Sequence, residues 1–339
     1  MSSLSVVIPC YNYGHFLEEA VASVLADEEG VDVRILIIDD ASPDGSAEVA
    51  RAIAARDPRV ETIVHPVNRG NIATYNEGLL EWADGDYCVL MSADDRLTPG
   101  ALRRARDLLD ASPEVGFVYG RALWVADGAP DPKPRTSVRG WSVWPGDWWL
   151  RQIFEQGENP ITSPEVVMRT STLKRVGAFD PSLPHAGDME LWLRLAANGD
   201  VGFIRGVDQA FYRLHTTNMR KGFNQLFDLR ERLAVYQTVL DRYGEQLGDA
   251  PELSAAARRR LGREALWTAG RESLRRDADP EHVDALVAFA VDCSADVARL
   301  PLHTALTSHS RLGPRSMGYL VTEKLRWWVR RRGWKYRGY

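Results

Sequence analysis

The chemistry this sequence offers is concentrated in a few acidic positions. In "CVLMSADDRLTPGAL" a β-rich apolar run ends on Asp94 and Asp95, and adjacent carboxylates disfavour each other unless something positive lies between them. A second pair, Asp39 and Asp40, closes the run "ILIIDD". Paired carboxylates are hard oxygen ligands suited to Mg2+ or Mn2+, which they usually share with substrate phosphates. Asp188 in "HAGDMELWLRLAANGD" opens an amphipathic run, where by itself it reads as the N-cap of that helix. His215, in "YRLHTTNMRKG", follows a strand-like run, where a lone histidine is either an ordinary packed residue or a ligand.

A scaffold must bring these positions together, and the first third of the chain supplies a regular one. "LSVVIP", "VRILIID", "VETIVH" and "YCVLMS" are each followed by a helical pattern, and "VGFVYG" adds a fifth strand. Four such repeats imply an α/β fold with a doubly wound, mostly parallel sheet flanked by helices. Ligands of such sheets lie beyond the carboxyl ends of the strands. The loops "PCYNYGH", "DDASPDGS" and "SADDRL" are therefore expected to face one site. Thr98 is placed to N-cap the next helix with Pro99 in its first turn, and Gly199 to stop the Asp188 helix through a left-handed cap.

Regular periodicity fades from Arg121 to about Pro160, where "WSVWPGDWWL" concentrates Trp141, Trp144, Trp148 and Trp149. Large aromatics fill cores and interfaces, and they also stack on sugar rings. "VGFI" and "QAFYRLH" read as two further strands, and from about Gly222 the pattern is helical. The expected organisation is residues 1–220 as one domain in two halves, about 1–120 and about 121–220, which the resemblance described below makes a donor half and an acceptor half. A helical region, 221–339, follows with a basic aromatic tail.

The bulk numbers agree with that plan. The 339 residues suggest about two domains at ~150 each. A composition of 45% hydrophobic and 26% charged residues is that of a soluble globular protein and excludes disordered and fibrous classes. A formal charge of −5 argues against nucleic acid as a partner. "MSSLSVVIPCYN" lacks a basic n-region and is cut by Pro9, so it reads as a strand and not as a signal peptide. No run reaches the ~18 apolar residues of a membrane span. Cys10, Cys88 and Cys293 are odd in number and widely spaced, which favours a reduced, cytoplasmic setting.

Five strings, "LSVVIPCYNYGHFLEEAVASVLA", "ILIIDDASPDGS", "NRGNIATYNEGL", "GDYCVLMSADDRLTPGAL" and "GDMELWLRL", resemble in order and spacing those of family 2 glycosyltransferases of GT-A fold, over roughly residues 4 to 215. The resemblance implies an inverting, cation-dependent transfer from a nucleotide-sugar donor, most commonly a UDP-sugar, to a hydroxyl acceptor in surface polysaccharide, glycolipid or glycoconjugate assembly. It places Pro9, Tyr11, Asn12 and Asp39 at the nucleotide base, Asn68 and Arg69 near the nucleotide, and Asp94 toward the ribose. Asp95 is the implied ligand of the divalent cation (Mn2+ or Mg2+), with His215 close to the metal or diphosphate and Arg213 beside it. Asp188 is the implied general base. Two positions depart from the family pattern: Ser92 and Gly187 stand where acidic residues are common.

For the acceptor, sequence proximity adds His185, and the aromatic cluster adds Trp141 and Trp144. The tail "EKLRWWVRRRGWKYRGY" interleaves cations with Trp and Tyr, a pattern that is either a solvated face or a peripheral contact with an anionic membrane at its inner face. The helical region and exposed aromatics would also suit a homodimer. Two other classes compete: a glycosyltransferase-like binding module without activity, for which Ser92 and Gly187 speak, and a sugar-nucleotide nucleotidyltransferase. The latter expects a basic, Gly-rich loop after the first strand, and "PCYNYGHF" has neither Lys nor Arg.

Overall fold

The structure, a computed structural model, describes residues 2–26, 30–218, 222–308 and 310–339. The chain forms two compact units, Met1–Trp149 with Pro160–Asn218 and Gly338, and Leu150–Asn159 with Met219–Arg337 and Tyr339.

The first unit opens with β1 (Ser3–Cys10), α1 (Gly14–Leu25), β2 (Asp32–Asp39), α2 (Ser46–Ala54), β3 (Val60–Val64) and α3 (Asn71–Asn76). The last of these continues as a π-helical stretch, Glu77–Trp82. Next come β4 (Tyr87–Leu90), β5 (Arg96–Leu97), α4 (Ala101–Ala111), β6 (Val115–Tyr119), β7 (Ala122–Ala126) and β8 (Gly140–Trp144). After α5 (Gly146–Gln156), which runs into the second unit, follow β9 (Val167–Arg169), α6 (Thr170–Val176), α7 (Gly187–Ala196), β10 (Asp200–Arg205) and β11 (Ala210–Leu214).

The strand order of the main sheet is β3-β2-β1-β4-β9-β6-β10-β8. β1, β2, β3 and β4 run parallel, as the four repeats predict. Leu4, Val6, Val7 and Ile8 of β1 and Ile35 to Ile38 of β2 are all buried, which is why these strands read as unbroken apolar runs. Gly78 lets the helical layer touch this sheet, because a Cβ there would lie 2.3 Å from Val7 Cγ1.

The second half departs from the expected regularity. Three-residue β9 enters between β4 and β6, antiparallel to both, and β8 forms an antiparallel edge on β10. Residues 121–160 therefore contain β7, β8 and α5 where the sequence pattern fades. A smaller sheet, β5-β11-β7, sets β11 antiparallel to β5, immediately after the Asp94–Asp95 turn.

Two local expectations are corrected. Helix α4 is preceded by Gly100 in the left-handed region (φ 72°), while Thr98 Oγ1 donates to the Asp208 carbonyl at 2.5 Å, so Thr98 ties β5 to the β11 loop instead of capping. Gly199 does not adopt a left-handed cap. A Cβ there would lie 3.2 Å from Gly116 Cα and from the Glu114 carbonyl oxygen, so close backbone approach is what requires glycine.

The second unit contains α8 (Gln225–Leu247), α9 (Ala250–Glu272), α10 (Pro280–Cys293), α11 (Pro301–Thr307) and α12 (Pro314–Arg337). The boundary expected at 220/221 falls on residues 219–221, outside the described residues. Residues 150–159, expected in the first domain, pack in the second because their partners are on α8. Phe154 lies 4.5 Å from the Tyr236 ring, and Arg232 donates to the Gly157 carbonyl at 2.6 Å. Cys10, Cys88 and Cys293 are free thiols, and all three are buried. Among the described residues no helix is long and apolar enough to cross a membrane.

Candidate functional site

The turn after β4 carries Asp94 and Asp95, both buried. The small sheet positions them: the Arg213 backbone N–H on β11 donates to Asp95 Oδ1 at 3.0 Å, and the Arg213 guanidinium donates to the Asp94 carbonyl at 2.9 Å. That guanidinium lies over the Phe16 ring and pairs with Glu19 at 2.5 Å and Asp127 at 3.1 Å, so its charge is shared away from the acid pair. Burial and the neighbouring Asp94 charge push the Asp95 carboxyl well above the usual range. His215 Nε2 lies 2.8 Å from Asp94 Oδ2, and Asn218 Nδ2 approaches the same oxygen at 3.4 Å. Asp94 Oδ1 and Asp95 Oδ2 retain no protein partner among the described residues.

Two hard carboxylate oxygens in a negatively charged, desolvated turn are what a divalent cation would satisfy, so the donor set fits one. The described residues contain no group of three or more His, Cys, Asp or Glu side chains that could hold a metal ion, and a cation here would depend on ligand phosphates for the rest of its coordination. His215, expected beside the metal, has both ring nitrogens engaged, Nε2 with Asp94 and Nδ1 with Thr217 Oγ1 at 2.9 Å. Its contact with the acid pair is therefore with Asp94. The ring is also held by Tyr13 and Phe16, with centroids 5.3 and 5.5 Å away.

The loops after β1 and β2 are joined through Ser42, whose Oγ accepts from the Asn12 N–H at 3.0 Å and whose N–H donates to Asp39 Oδ2 at 3.1 Å. Asn12 and Ala41 both adopt positive φ, 63° and 58°, a conformation costly for residues with a side chain. What this geometry presents is two buried acceptors without partners, Asn12 Oδ1 and Asp39 Oδ1. Pro9 is half-buried in β1, and Tyr11 projects with 46% exposure.

Asp40 behaves differently from Asp39. Its carboxylate accepts from His65 Nδ1 at 2.7 Å and from the N–H groups of Arg69 and Gly70 at 2.8 and 2.9 Å, while His65 Nε2 meets Glu77 at 3.0 Å. Burial acts to raise this carboxyl, but those hydrogen bonds outweigh it and hold it below its ordinary value. Asn68 and Arg69 are exposed. Asn68 Oδ1 accepts from the Gly70 N–H, and the Arg69 side chain pairs with Glu77, so both shape the loop that Asp40 anchors.

Asp188 lies in the first turn of α7, two residues past the N-cap position expected for it, which Ala186 takes. Its Oδ1 accepts from the Met189 N–H at 2.6 Å and its Oδ2 from Ser163 Oγ at 3.0 Å. Burial raises this carboxyl, against the pull of those two donors and of His185. The helix is fixed by a buried Glu190–Arg194 pair at 2.6 Å, whose guanidinium also donates to the carbonyls of Val176, Gly177 and Ala178. Tyr75 on α3 lies within the fields of both Asp94 and Asp188, and burial foremost pushes its hydroxyl up to about 12.

Glu165 is the residue that sequence reasoning missed. It is 3% exposed, its Oε1 accepts from the Thr162 N–H at 2.8 Å, and its Oε2 has no partner. Burial raises it to about 7, with the Asp188 charge contributing. The loop it pins contains Ser163, at φ 77°, which is the donor to Asp188. Its only sequence signal is an acid placed directly before the apolar "VVM" of β9.

The aromatic pair expected at an acceptor does not converge with these groups. Trp144 stacks between Trp148 and Phe203, at 6.2 and 6.0 Å, and Trp141 is an exposed residue of edge strand β8. β8 is four strand spacings from β4, about 19 Å at ~4.8 Å each. His185 stays close enough to act on Asp188 electrostatically.

The family model described as glycosyl transferase family 2 matches residues 5–173. An uncharacterized glycosyltransferase of Nostoc sp. is 26% identical over 223 residues, 63% of this chain and 66% of that protein. The succinoglycan biosynthesis protein ExoA of Rhizobium meliloti is 30% identical over 209 residues, 58% of this chain and 59% of that protein. The chain thus aligns with less than two thirds of the length of either relative. Among solved structures, S. aureus TarS 1–349 in complex with UDP-GlcNAc superposes with a TM-score of 0.61 at 15% identity, covering 94% of this chain and 89% of that one. The mannosyltransferase PcManGT from Pyrobaculum calidifontis, in complex with GDP-Man and Mn2+, gives 0.55 at 17% identity, covering 96% and 86%. At these identities the structural likeness is one of fold, and it agrees with the GT-A-type architecture that the family resemblance implies. By the match over residues 5–173 and the motifs within it, the chain belongs to glycosyl transferase family 2.

Proposed function

We propose that this protein transfers a sugar from a nucleoside-diphosphate donor, a UDP-sugar in the first instance, to a hydroxyl acceptor with inversion at the anomeric carbon. The observation that carries the reading is a set of oxygens on the loops after β1, β2 and β4 that accept no hydrogen bond from the described protein: the buried Asn12 Oδ1 and Asp39 Oδ1, and Asp94 Oδ1 and Asp95 Oδ2. The first two suit the N–H groups of a nucleotide base, with Tyr11 free to lie on its face. Asp94, steadied by His215 and Asn218, is assigned to the ribose.

Asp95, with Asp94, would hold the Mg2+ or Mn2+, which when bound neutralises the charge that develops on the departing diphosphate. Asp188 takes the proton of the acceptor hydroxyl as its oxygen bonds to the anomeric carbon and the bond to the diphosphate oxygen breaks. Such a positioned base contributes on the order of 10² to 10⁴ in rate. Ser163 and the Met189 N–H orient its carboxylate so that one face is presented to the acceptor. The nucleotide sugars bound by TarS and PcManGT, the Mn2+ of the latter and the succinoglycan role of ExoA support this donor class and an acceptor in surface-glycan assembly.

Titration calorimetry with UDP, dTDP and GDP, each with Mn2+ and with EDTA, tests the reading. One nucleotide should bind with Mn2+, lose affinity in EDTA, and fail to bind Asp95→Ala. Absence of binding by all three under both conditions would overturn it.

A further inference from the structure

We propose that the exposed face of α12 docks on an anionic bilayer surface. Met317, Val321, Leu325, Trp328 and Val329 are each between 40% and 65% exposed, and their spacing of three and four residues places them on one side of the helix. Ser316, Leu320 and Glu323 on the opposite side are buried, so the helix is anchored through one face and offers an apolar stripe on the other. Contiguous exposed apolar surface of this kind marks an interaction site.

Charge selects the occupant. Residues 314–337 hold eight Lys and Arg against the single acid Glu323, in a chain whose formal charge is −5. Lys324, Arg326, Arg331 and Arg332 are exposed around the stripe, and Arg331 and Arg332 lie 4.9 and 5.0 Å over the rings of Trp327 and Trp328. The side chains of Lys335 and Tyr336, part of the same basic tail, lie outside the described residues. Apolar side chains flanked by cations match an interface where acyl chains meet anionic headgroups. A second copy of this face would set the same cations against each other, and a nucleic acid would leave the apolar stripe in water. No described helix can cross the bilayer, so the contact is in the plane of the surface.

Flotation of the full chain with phosphatidylcholine vesicles, with and without about one quarter phosphatidylglycerol, tests the assignment. The anionic vesicles should carry at least about tenfold more protein. The triple variant Val321→Ser, Leu325→Ser, Val329→Ser and the double variant Arg331→Glu, Arg332→Glu should each lose that excess with unchanged thermal melting. Should the triple variant melt early, Val321→Cys labelled with a polarity-sensitive dye supplies an independent reading, and its emission should shift to the blue on anionic vesicles only. No recruitment to either vesicle overturns the proposal, as does recruitment that the serine variant leaves intact. Self-association without vesicles that the serine variant abolishes would assign the face to a second copy instead.

Discussion

Two adjacent acid pairs end the strands on either side of β1, Asp39–Asp40 after β2 and Asp94–Asp95 after β4, and the protein treats them in opposite ways. Asp40 is surrounded by donors, the His65 ring and two backbone N–H groups, and is held below its ordinary value. Asp95 receives one backbone N–H, faces a second charge and is pushed well above it. Neither side chain is much exposed, but Asp95 lies deeper and has fewer donors, so one position yields a structural rivet and the other an acid left short of partners. A carboxylate that costs stability at its position is one whose partner arrives from outside, and such perturbed groups cluster at functional sites.

The largest expected effect belongs to another carboxyl that burial raises, that of Asp188. Asp188→Asn should lower kcat by about 10² to 10⁴ while calorimetric nucleotide affinity stays unchanged; equal loss of both would remove Asp188 from the base role. Glu165→Gln sharpens the comparison through pH. The Glu165 carboxyl is raised to about 7, so the folded state holds its proton where the unfolded chain has lost it, and wild-type stability should fall as pH rises from about 4.5 to 7. The glutamine variant should therefore be more stable than wild type at about pH 8, by up to about 3 kcal/mol, and equal to it at about pH 4. Urea unfolding at the two pH values measures this, and a stability gain independent of pH would break the argument.

The two pairs can then be set against each other directly. Asp40→Asn should cost about 2 kcal/mol by removing charge-assisted hydrogen bonds, a contribution present above the ordinary carboxylate range and lost as pH falls through the lowered value. Asp95→Asn should leave the melting temperature equal or higher while abolishing cation-dependent nucleotide binding. A lower melting temperature for Asp95→Asn would make both pairs structural. The smallest effect is that of Ser163→Ala. Loss of its hydroxyl donor should raise the Asp188 carboxyl further and move the acid limb of the kcat/KM profile to higher pH, by less than about one pH unit.

Residues 1–120 were legible because β1, β2, β4 and β6 are largely buried and read as apolar runs, the first two and β4 each closed by a polar loop. The two acid pairs were visible for the same reason, but nothing in "DD" distinguishes the satisfied pair from the unsatisfied one. That difference comes from His65, Gly70 and Arg213, residues 25, 30 and 118 positions away from the acids they contact. Three-residue β9 is too short to show a period, and Glu165 before it had no local pattern to mark it. Trp141 and Trp144 show the converse limit: aromatic density signals packing as readily as recognition, and the two lie on edge strand β8, with Trp144 stacked on Trp148 and Phe203.

The three buried cysteines give each unit its own clock. Cys10 and Cys88 lie on neighbouring strands of the main sheet and Cys293 in α10, and burial pushes their thiols up to about 11, 12 and 11. A thiol is modified only as its thiolate and only when exposed, so a labelling reagent reports openings and not the closed fold. The rate at Cys293 therefore times excursions of the helical unit while the rates at Cys10 and Cys88 time those of the sheet. Whether a bound nucleotide quiets one unit or both can be read from unmodified protein, with no residue changed.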